Sequence, residues 1–374
     1  MLYRIGVIGI GHWFGRLHAG MITVGGLEVV KALGTRPYES KAETLKGFGI
    51  GSGMYLTTDK TGAIPDAFFD GIDAVHVSDP NMYHARQTID SLEHGKKAIV
   101  EKSFAVTRDE FDEFESYVKG RKKESEVYLH LHYMHKQPTI ALRKSIGALT
   151  EKYGKVTEVR STFFEAANEE DERRAAWLFG PENGGLFMDW IHPFEVAYHA
   201  TGSRFGKMTE LGIYAVNPGY DSANPTGVYA STEVSGGYFA VGARFSVSIA
   251  KGTDARFAQK AMRLYFESGA SATLRFTGSE HEFSGQRRGS LEVGELRSGV
   301  YRSLESRELE GENSSEIFVR EILELCSGRN HGLGLNEIAG IFAPQWEYQH
   351  MLDSVELTKD PRAVRRFLDR AVRL

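Results

Sequence analysis

Two stretches of this 374-residue sequence carry side chains that could move a proton. Glu101 and Lys102 end the short apolar run Ala98-Ile99-Val100. A charged pair at the carboxyl edge of a parallel sheet stands where ligands bind in such folds, so Lys102 is a candidate active-site residue. Asp189 and His192 are three residues apart and on a helix share one face, where the acid can orient the imidazole or hold a substrate hydroxyl. Imidazole titrates near neutral pH. It suits removal of a hydroxyl proton as an alcohol is oxidised, or its return in the reverse reaction. Without such context a Glu-Lys pair is a solvated ion pair of little worth, and a lone histidine on an apolar helix face is structural. His18, His199 and His350 have no comparable neighbours and are read in that second way.

The element that must accompany such a centre lies at residues 5–18. The apolar run Ile5-Gly6-Val7-Ile8 leads into Gly9-Ile10-Gly11-His12-Trp13-Phe14-Gly15 and then into helix-forming sequence. A strand that breaks into glycines and reopens as a helix cradles a pyrophosphate: Gly9 permits the tight turn, and Gly11 has no side chain to hold the phosphates off. The third glycine of the usual fingerprint is replaced by Phe14 and comes one residue later, at Gly15. The longer loop is expected to displace Trp13 or Phe14 toward the nicotinamide side. The same glycines also serve any tight strand-to-helix turn.

The next strand, Leu27 to Leu33, closes a strand-helix-strand unit and ends in Gly34-Thr35-Arg36-Pro37. Enzymes that use NAD place an acid at this strand end for the ribose hydroxyls, and here that position is Gly34. A hydroxyl and a guanidinium, Thr35 and Arg36, would instead hold a 2′-phosphate, so NADP is expected, with NAD as the alternative. The competing reading of Thr35 and Arg36 is a polar surface turn.

Composition restricts the function class. The chain is 41% hydrophobic and 25% charged with a net charge of −5, an ordinary globular balance without the basic footprint of a nucleic-acid partner. Its length suggests two domains. The apolar stretches are strand-sized and fall short of the ~20 residues that span a bilayer. The single cysteine, Cys326, excludes an internal disulfide and a cysteine-based zinc site, and no metal is expected. A cytoplasmic location is expected.

Further along, residues 71–81 read as a buried strand ending in Ser78-Asp79-Pro80-Asn81, with His84 opening the following helix. Val127 to Tyr133 reads as the last strand of a nucleotide domain. Thereafter Phe239, Val241, Ala243, Phe245, Val247 and Ile249 alternate with more polar residues, and Met262–Phe266 and Ala272–Phe276 follow; period two between glycine-containing turns means an antiparallel sheet. The expected fold is α/β: an N-terminal Rossmann dinucleotide-binding domain, residues 1–127, and a C-terminal α+β domain, residues 128–374, with a large, mostly antiparallel open sheet.

The Pro80-Asn81-x-x-His84 turn, the Glu101-Lys102 step and their spacing resemble the Gfo/Idh/MocA oxidoreductases, named for glucose-fructose oxidoreductase and inositol dehydrogenase, although the usual proline after the lysine is Ser103. A segment from Trp177 through Gly184-Gly185 to Asp189 and His192 is similar to that family's second signature, in which the acid more often stands where Met188 does here. The resemblance implies that Lys102 sits beside the nicotinamide and contacts the reacting hydroxyl, with His192 exchanging its proton. It implies cofactor contacts along residues 9–36 and 78–102, including Ser78, Asp79, Asn81, His84, Glu101 and Lys102, and substrate contacts along 132–136 and 177–192. The antiparallel sheet would pair subunits into a homodimer or homotetramer.

His132-Tyr133-Met134-His135-Lys136 is similar to the His-Tyr-x-x-Lys of glucose-6-phosphate dehydrogenases, in which the histidine and lysine hold the sugar phosphate. His132, Tyr133 and Lys136 therefore line either an anionic sugar site or the polar wall of a neutral polyol site. The function expected is hydride transfer between NADP and a sugar, polyol or sugar-phosphate-like substrate. Two alternatives remain: a family member that uses tightly held cofactor in a redox-neutral, glycosidase-like cycle, and a sensor that binds dinucleotide without chemistry.

Overall fold

The structure is a computed structural model that describes residues 2–59, 62–166, 191–202, 210–215, 230–238, 243–253, 258–276, 288–298, 300–329, 332–351, 357–358 and 360–371. The chain divides into two units, residues 1–132 with 314–339, and residues 133–313 with 340–374.

In the first unit, short apolar runs form a six-stranded parallel sheet. Its strands are β1 (Tyr3–Ile8), β2 (Leu27–Gly34), β3 (Tyr55–Thr57), β4 (Ala74–Val77), β5 (Lys97–Val100) and β6 (Val127–Leu129), in the order β3-β2-β1-β4-β5-β6. This is the doubly wound order of a dinucleotide-binding fold, with its switch point between β1 and β4. A parallel sheet covered on both faces needs strands that are apolar throughout, and Val7, Ile8, Leu33, Val75, Val77, Ile99 and Val100 are fully buried. His76, in the middle of β4, is equally buried and breaks that rule.

The linking helices are α1 (His12–His18), α2 (Gly20–Val24), α3 (Ala42–Gly47), α4 (His84–Glu93) and α5 (Arg108–Arg121). Thr107 and Glu110 start α5 with a capping box, each side chain accepting a backbone N–H of the other's end. In the second unit follow α6 (Gln137–Tyr153) and α7 (Ile191–Thr201).

A nine-stranded sheet makes the rest of the second unit. It contains β7 (Val156–Ala166), β8 (Glu210–Ala215), β9 (Ala230–Tyr238), β10 (Arg244–Thr253), β11 (Gln259–Phe266), β12 (Ala270–Phe276), β13 (Arg288–Arg297), β14 (Val300–Glu310) and, after the last long helices, β15 (Leu357–Thr358). The order is β14-β13-β12-β11-β7-β10-β9-β8-β15; β10 runs parallel to β7 and β15 to β8, and the remaining pairs are antiparallel. Along β10 the expected period of two appears as buried Phe245, Val247 and Ile249. Phe239 and Val241 lie outside the described residues.

The helix α8 (Ser314–Cys326) belongs to the first unit although it follows the second sheet in sequence. It lies so close to α2 that a side chain at Gly20 would strike the Ser315 backbone. The Lys97 ammonium donates to the carbonyls of Leu325 (2.7 Å) and Cys326 (3.1 Å) and so caps its C-terminus. After it come α9 (Leu335–Met351) and α10 (Pro361–Ala371). No helix among the described residues is long and apolar enough to cross a membrane.

Candidate active site

The glycine turn follows β1 at the switch point. Gly9 has φ +91°, a conformation that L side chains rarely adopt, and a Cβ there would come within 2.5–2.6 Å of the Ser78 and Asp79 backbone. Ser78 ties the two strand ends together: its N–H and its hydroxyl both reach the Ile8 carbonyl at 2.9 Å, and the hydroxyl lies 3.0 Å from the Gly9 carbonyl. Gly11, at the start of α1, is exposed with open space where a side chain would be. A bound pyrophosphate needs this clearance. Gly9→Ala should abolish NADPH binding, measured by quenching and enhancement of nucleotide fluorescence; unchanged affinity would remove the turn from the site.

Phe14 departs from expectation. Its ring is 1% exposed and packs on His18 (centroids 4.6 Å) and Phe48 (5.0 Å). The added loop residue is absorbed by turning this apolar ring into the core, where burial favours it, so Phe14 does not wall the cofactor. The Trp13 side chain lies outside the described residues.

At the end of β2, the Tyr55 hydroxyl stands where a side chain at Gly34 would begin and donates to the Arg36 carbonyl at 2.7 Å. Thr35 and Arg36 are exposed, and the Arg36 guanidinium has no ion pair among the described residues. An exposed hydroxyl and guanidinium are donors of the kind a phosphate accepts from.

Beyond β4, the Asp79 carboxylate accepts from Gln87 at 2.9 Å, while burial pushes its pKa up. Asn81 is buried. His84 places Nδ1 2.9 Å from the Ser103 carbonyl and Nε2 2.6 Å from the Asp79 carbonyl. Burial lowers its pKa against those two carbonyls. A neutral ring has a single N–H to donate to one of these two carbonyls, and the buried imidazole lies between the Asp79 turn and the Ser103 backbone. Lys102 is half-buried, and its peptide to Ser103 is cis. Glu101 lies with Oε1 3.5 Å from buried His76 Nε2.

In the second unit, His192 sits in the first turn of α7 with Nδ1 3.0 Å from Glu195 Oε1; Glu195 is fully buried, and the same oxygen accepts the Tyr133 N–H at 3.2 Å. A carboxylate on Nδ1 favours the tautomer with the proton there. Tyr133 stacks its buried ring on His192 (4.7 Å) and packs with Phe163 and Phe276. Lys260 carries its buried ammonium 5.3 Å above that ring and pairs with Glu165 at 2.8 Å. Lys136, half-buried, is the N-cap of α6. His132, of the first unit, is buried with its ring 5.5 Å from that of His130.

Trp177 and Asp189 lie outside the described residues. Glu195 and Lys260 were not anticipated from sequence. Glu195 is three residues from His192, the same spacing as Asp189 on the other side, so the signal was present and ambiguous. Lys260 opens a strand of ordinary alternation and carries no local mark. Among the described residues no cluster of three or more His, Cys, Asp or Glu side chains is arranged to hold a metal ion.

Residues 3–129 match the model of GFO_IDH_MocA, described as an oxidoreductase family with an NAD-binding Rossmann fold. No curated protein matches the sequence. Solved structures resemble the chain over nearly its whole length at low identity. The 3-ketoreductase KijD10 from Actinomadura kijaniata, in complex with NADP and TDP-benzene, has a TM-score of 0.72 at 13% identity, over 96% of this chain and 99% of its own. The aldose-aldose oxidoreductase from Caulobacter crescentus, complexed with glycerol, has a TM-score of 0.68 at 14% identity, over 95% and 98%. The UDP-N-acetylglucosamine 3-dehydrogenase GnnA from Acidithiobacillus ferrooxidans has a TM-score of 0.63 at 13% identity, over 92% and 96%.

Proposed function

We propose that the chain, whose residues 3–129 match the NAD-binding Rossmann fold of the Gfo/Idh/MocA oxidoreductases, is an NADP-preferring dehydrogenase or reductase of a sugar, polyol or sugar-phosphate-like substrate. The observation that carries the reading is the buried Glu195–His192 pair, at 3.0 Å, because a binding protein without chemistry has no need of an oriented imidazole. The solved structures of like fold include enzymes named for aldoses and for a nucleotide sugar, which supports the substrate class.

In this reading the Lys102 ammonium donates a hydrogen bond to the reacting oxygen and stabilises the negative charge that develops on it. His192 Nε2 takes the hydroxyl proton during oxidation and returns it during reduction. Glu195 keeps the ring oriented and stabilises the imidazolium that forms. Thr35 and Arg36 hold the 2′-phosphate, and Asp189 is a further candidate for binding a substrate hydroxyl. Bound along the glycine turn, the nicotinamide supplies or accepts the hydride. The second sheet, whose β13–β14 hairpin exposes Leu296, Val300, Tyr301 and Leu304, is assigned to pairing of two copies.

The test is a parallel titration with NADPH and NADH, followed by nucleotide fluorescence, on the wild type and on Arg36→Ala. NADPH should bind at least about tenfold more tightly, and the variant should lose that preference, since a charge-assisted phosphate contact is worth about 1.5–3 kcal/mol. Equal affinity for both nucleotides in the wild type would overturn the NADP assignment. Sugars and sugar phosphates are then screened with the preferred nucleotide.

A further inference from the structure

Lys260 carries a charge into a place built from apolar side chains. On β11 it is in register with Phe163 of β7 and Phe276 of β12, so the three side chains stand in a row on one face of the second sheet. Met262 and Leu264 continue that face along β11, and both are fully buried. The Lys260 side chain is 4% exposed, and its ammonium meets Glu165 Oε1 at 2.8 Å. Glu165 lies two residues past Phe163 and so shares its face; at 24% exposure it is the member of the pair nearer to water. Replacing such a pair by apolar side chains of like volume is often neutral or stabilising, so fold stability does not account for a lysine here.

The row faces Tyr133. Phe163 and Phe276 meet its ring edge to face, with centroids at 5.3 and 5.2 Å, and Lys260 Nζ stands 5.3 Å from the ring centre, within cation–π reach. The same ring packs on His192 at 4.7 Å. The Tyr133 N–H reaches Glu195 Oε1 at 3.2 Å, the oxygen that His192 Nδ1 meets at 3.0 Å, and the Tyr133 carbonyl accepts from the Thr139 hydroxyl at 2.8 Å. Tyr133 therefore touches both members of the acid–base pair, His192 through its ring and Glu195 through its backbone.

We propose that Lys260, anchored by Glu165, is a positioning residue of the His192–Glu195 pair: it holds the Tyr133 ring against His192 and sets a positive charge one ring away from the imidazole. It rests on the assignment of His192 to proton exchange. Glu195 by itself favours the imidazolium, and a cation behind Tyr133 disfavours it; the opposition keeps an imidazole that can both take a proton and return it. Among the described residues, the titratable groups joined to the imidazole through these contacts are Glu195, Tyr133, Lys260 and Glu165. Lys136 caps the start of α6, and Arg143 of α6 meets His199 at 3.0 Å, two turns further along α7.

Two NMR measurements on the full chain test this without a substrate. In the wild type, the Lys260 ε-methylene protons, assigned by their loss in Lys260→Arg, should show nuclear Overhauser contacts to the Tyr133 ring protons. The His192 C2 proton, assigned by its loss in His192→Gln, is then titrated. In Lys260→Met its midpoint should rise by about half a pH unit or more, because a nearby positive charge is gone, and in Lys260→Arg it should be restored. Glu165→Gln removes the anion and should move the midpoint the opposite way, which a mere loosening of the packing would not do. Absence of the Overhauser contact in the wild type would overturn the proposal and needs no folded Lys260→Met. So would an unchanged midpoint in Lys260→Met, or shifts of one sign in Lys260→Met and Glu165→Gln. His192→Gln that kept the wild-type kcat would instead remove the catalytic assignment, leaving the contact and the titrations as they are.

Discussion

His192→Gln should lower kcat by about 10²- to 10⁴-fold, the usual contribution of a positioned general acid–base, while NADPH affinity stays within about twofold of wild type. The nucleotide contacts assigned above all come from the first unit, whereas His192 belongs to the second, so proton transfer and cofactor binding should separate cleanly. Glutamine fills much of the volume of imidazole and can hydrogen-bond to Glu195, which guards against leaving a buried carboxylate without a donor. Glu195→Gln should give a smaller loss, because the amide still accepts from Tyr133 N–H and from His192 but no longer stabilises the imidazolium. Steady-state kinetics on the preferred nucleotide and sugar read both. A His192→Gln enzyme with wild-type kcat would transfer the proton step to another residue.

Acid should destabilise the first unit well before its ordinary carboxylates titrate. His18 is completely buried, donates Nδ1 to the Phe14 carbonyl at 2.8 Å, and has its pKa lowered from 6.5 to about 3, chiefly by burial and then by the charge of His76. A histidine with a depressed folded pKa takes up its proton first in the unfolded chain. Stability is therefore present above about pH 6.5 and is lost as the pH falls toward the folded value, at about 1.4 kcal/mol per pH unit for one group. His18 alone should cost about 2 kcal/mol between pH 6.5 and 4.5, and His76 and His84 shift in the same direction. Glu101 adds to the loss only below its unfolded value of 4.5, while Asp79, with its carboxyl pushed up, works the other way from 3.8 upward. Urea unfolding at stepped pH measures the slope. His18→Phe, which keeps an aromatic ring among Phe14, Phe48 and Phe318, should flatten it by about one proton; an unchanged slope would mean that His18 is not buried neutral.

The nucleotide fold was legible because its signals are local. Gly9 is required by a positive φ that few residues tolerate, and β1, β2, β4 and β5 are apolar runs that only a doubly covered parallel sheet can bury. The period of two in β10 likewise foretold its sheet. What was missed depends on partners distant in sequence. Phe14 turns inward because Phe48 and His18 offer it a pocket, and nothing in the glycine turn reveals that. His84 matches a turn signature, yet its ring is buried between the carbonyls of Asp79 and Ser103. Glu195 becomes the partner of His192 because the Tyr133 N–H reaches the same carboxylate, and Tyr133 lies some sixty positions away in the chain. The pairing of His130 with Glu321 spans a still longer separation, and α8, an amphipathic helix like many others, bears no local mark of the unit it joins.

That return of α8 orders events during synthesis. The first six strands leave the ribosome early, but the face that carries His18, His76 and His130 stays uncovered until Tyr133–Asn313 have been made and Phe318 and Glu321 emerge. A chain released before α8 would display an open apolar flank with buried-type histidines in water, a natural target for chaperones. The nucleotide-binding unit is thus the first to begin folding and cannot be the first to finish.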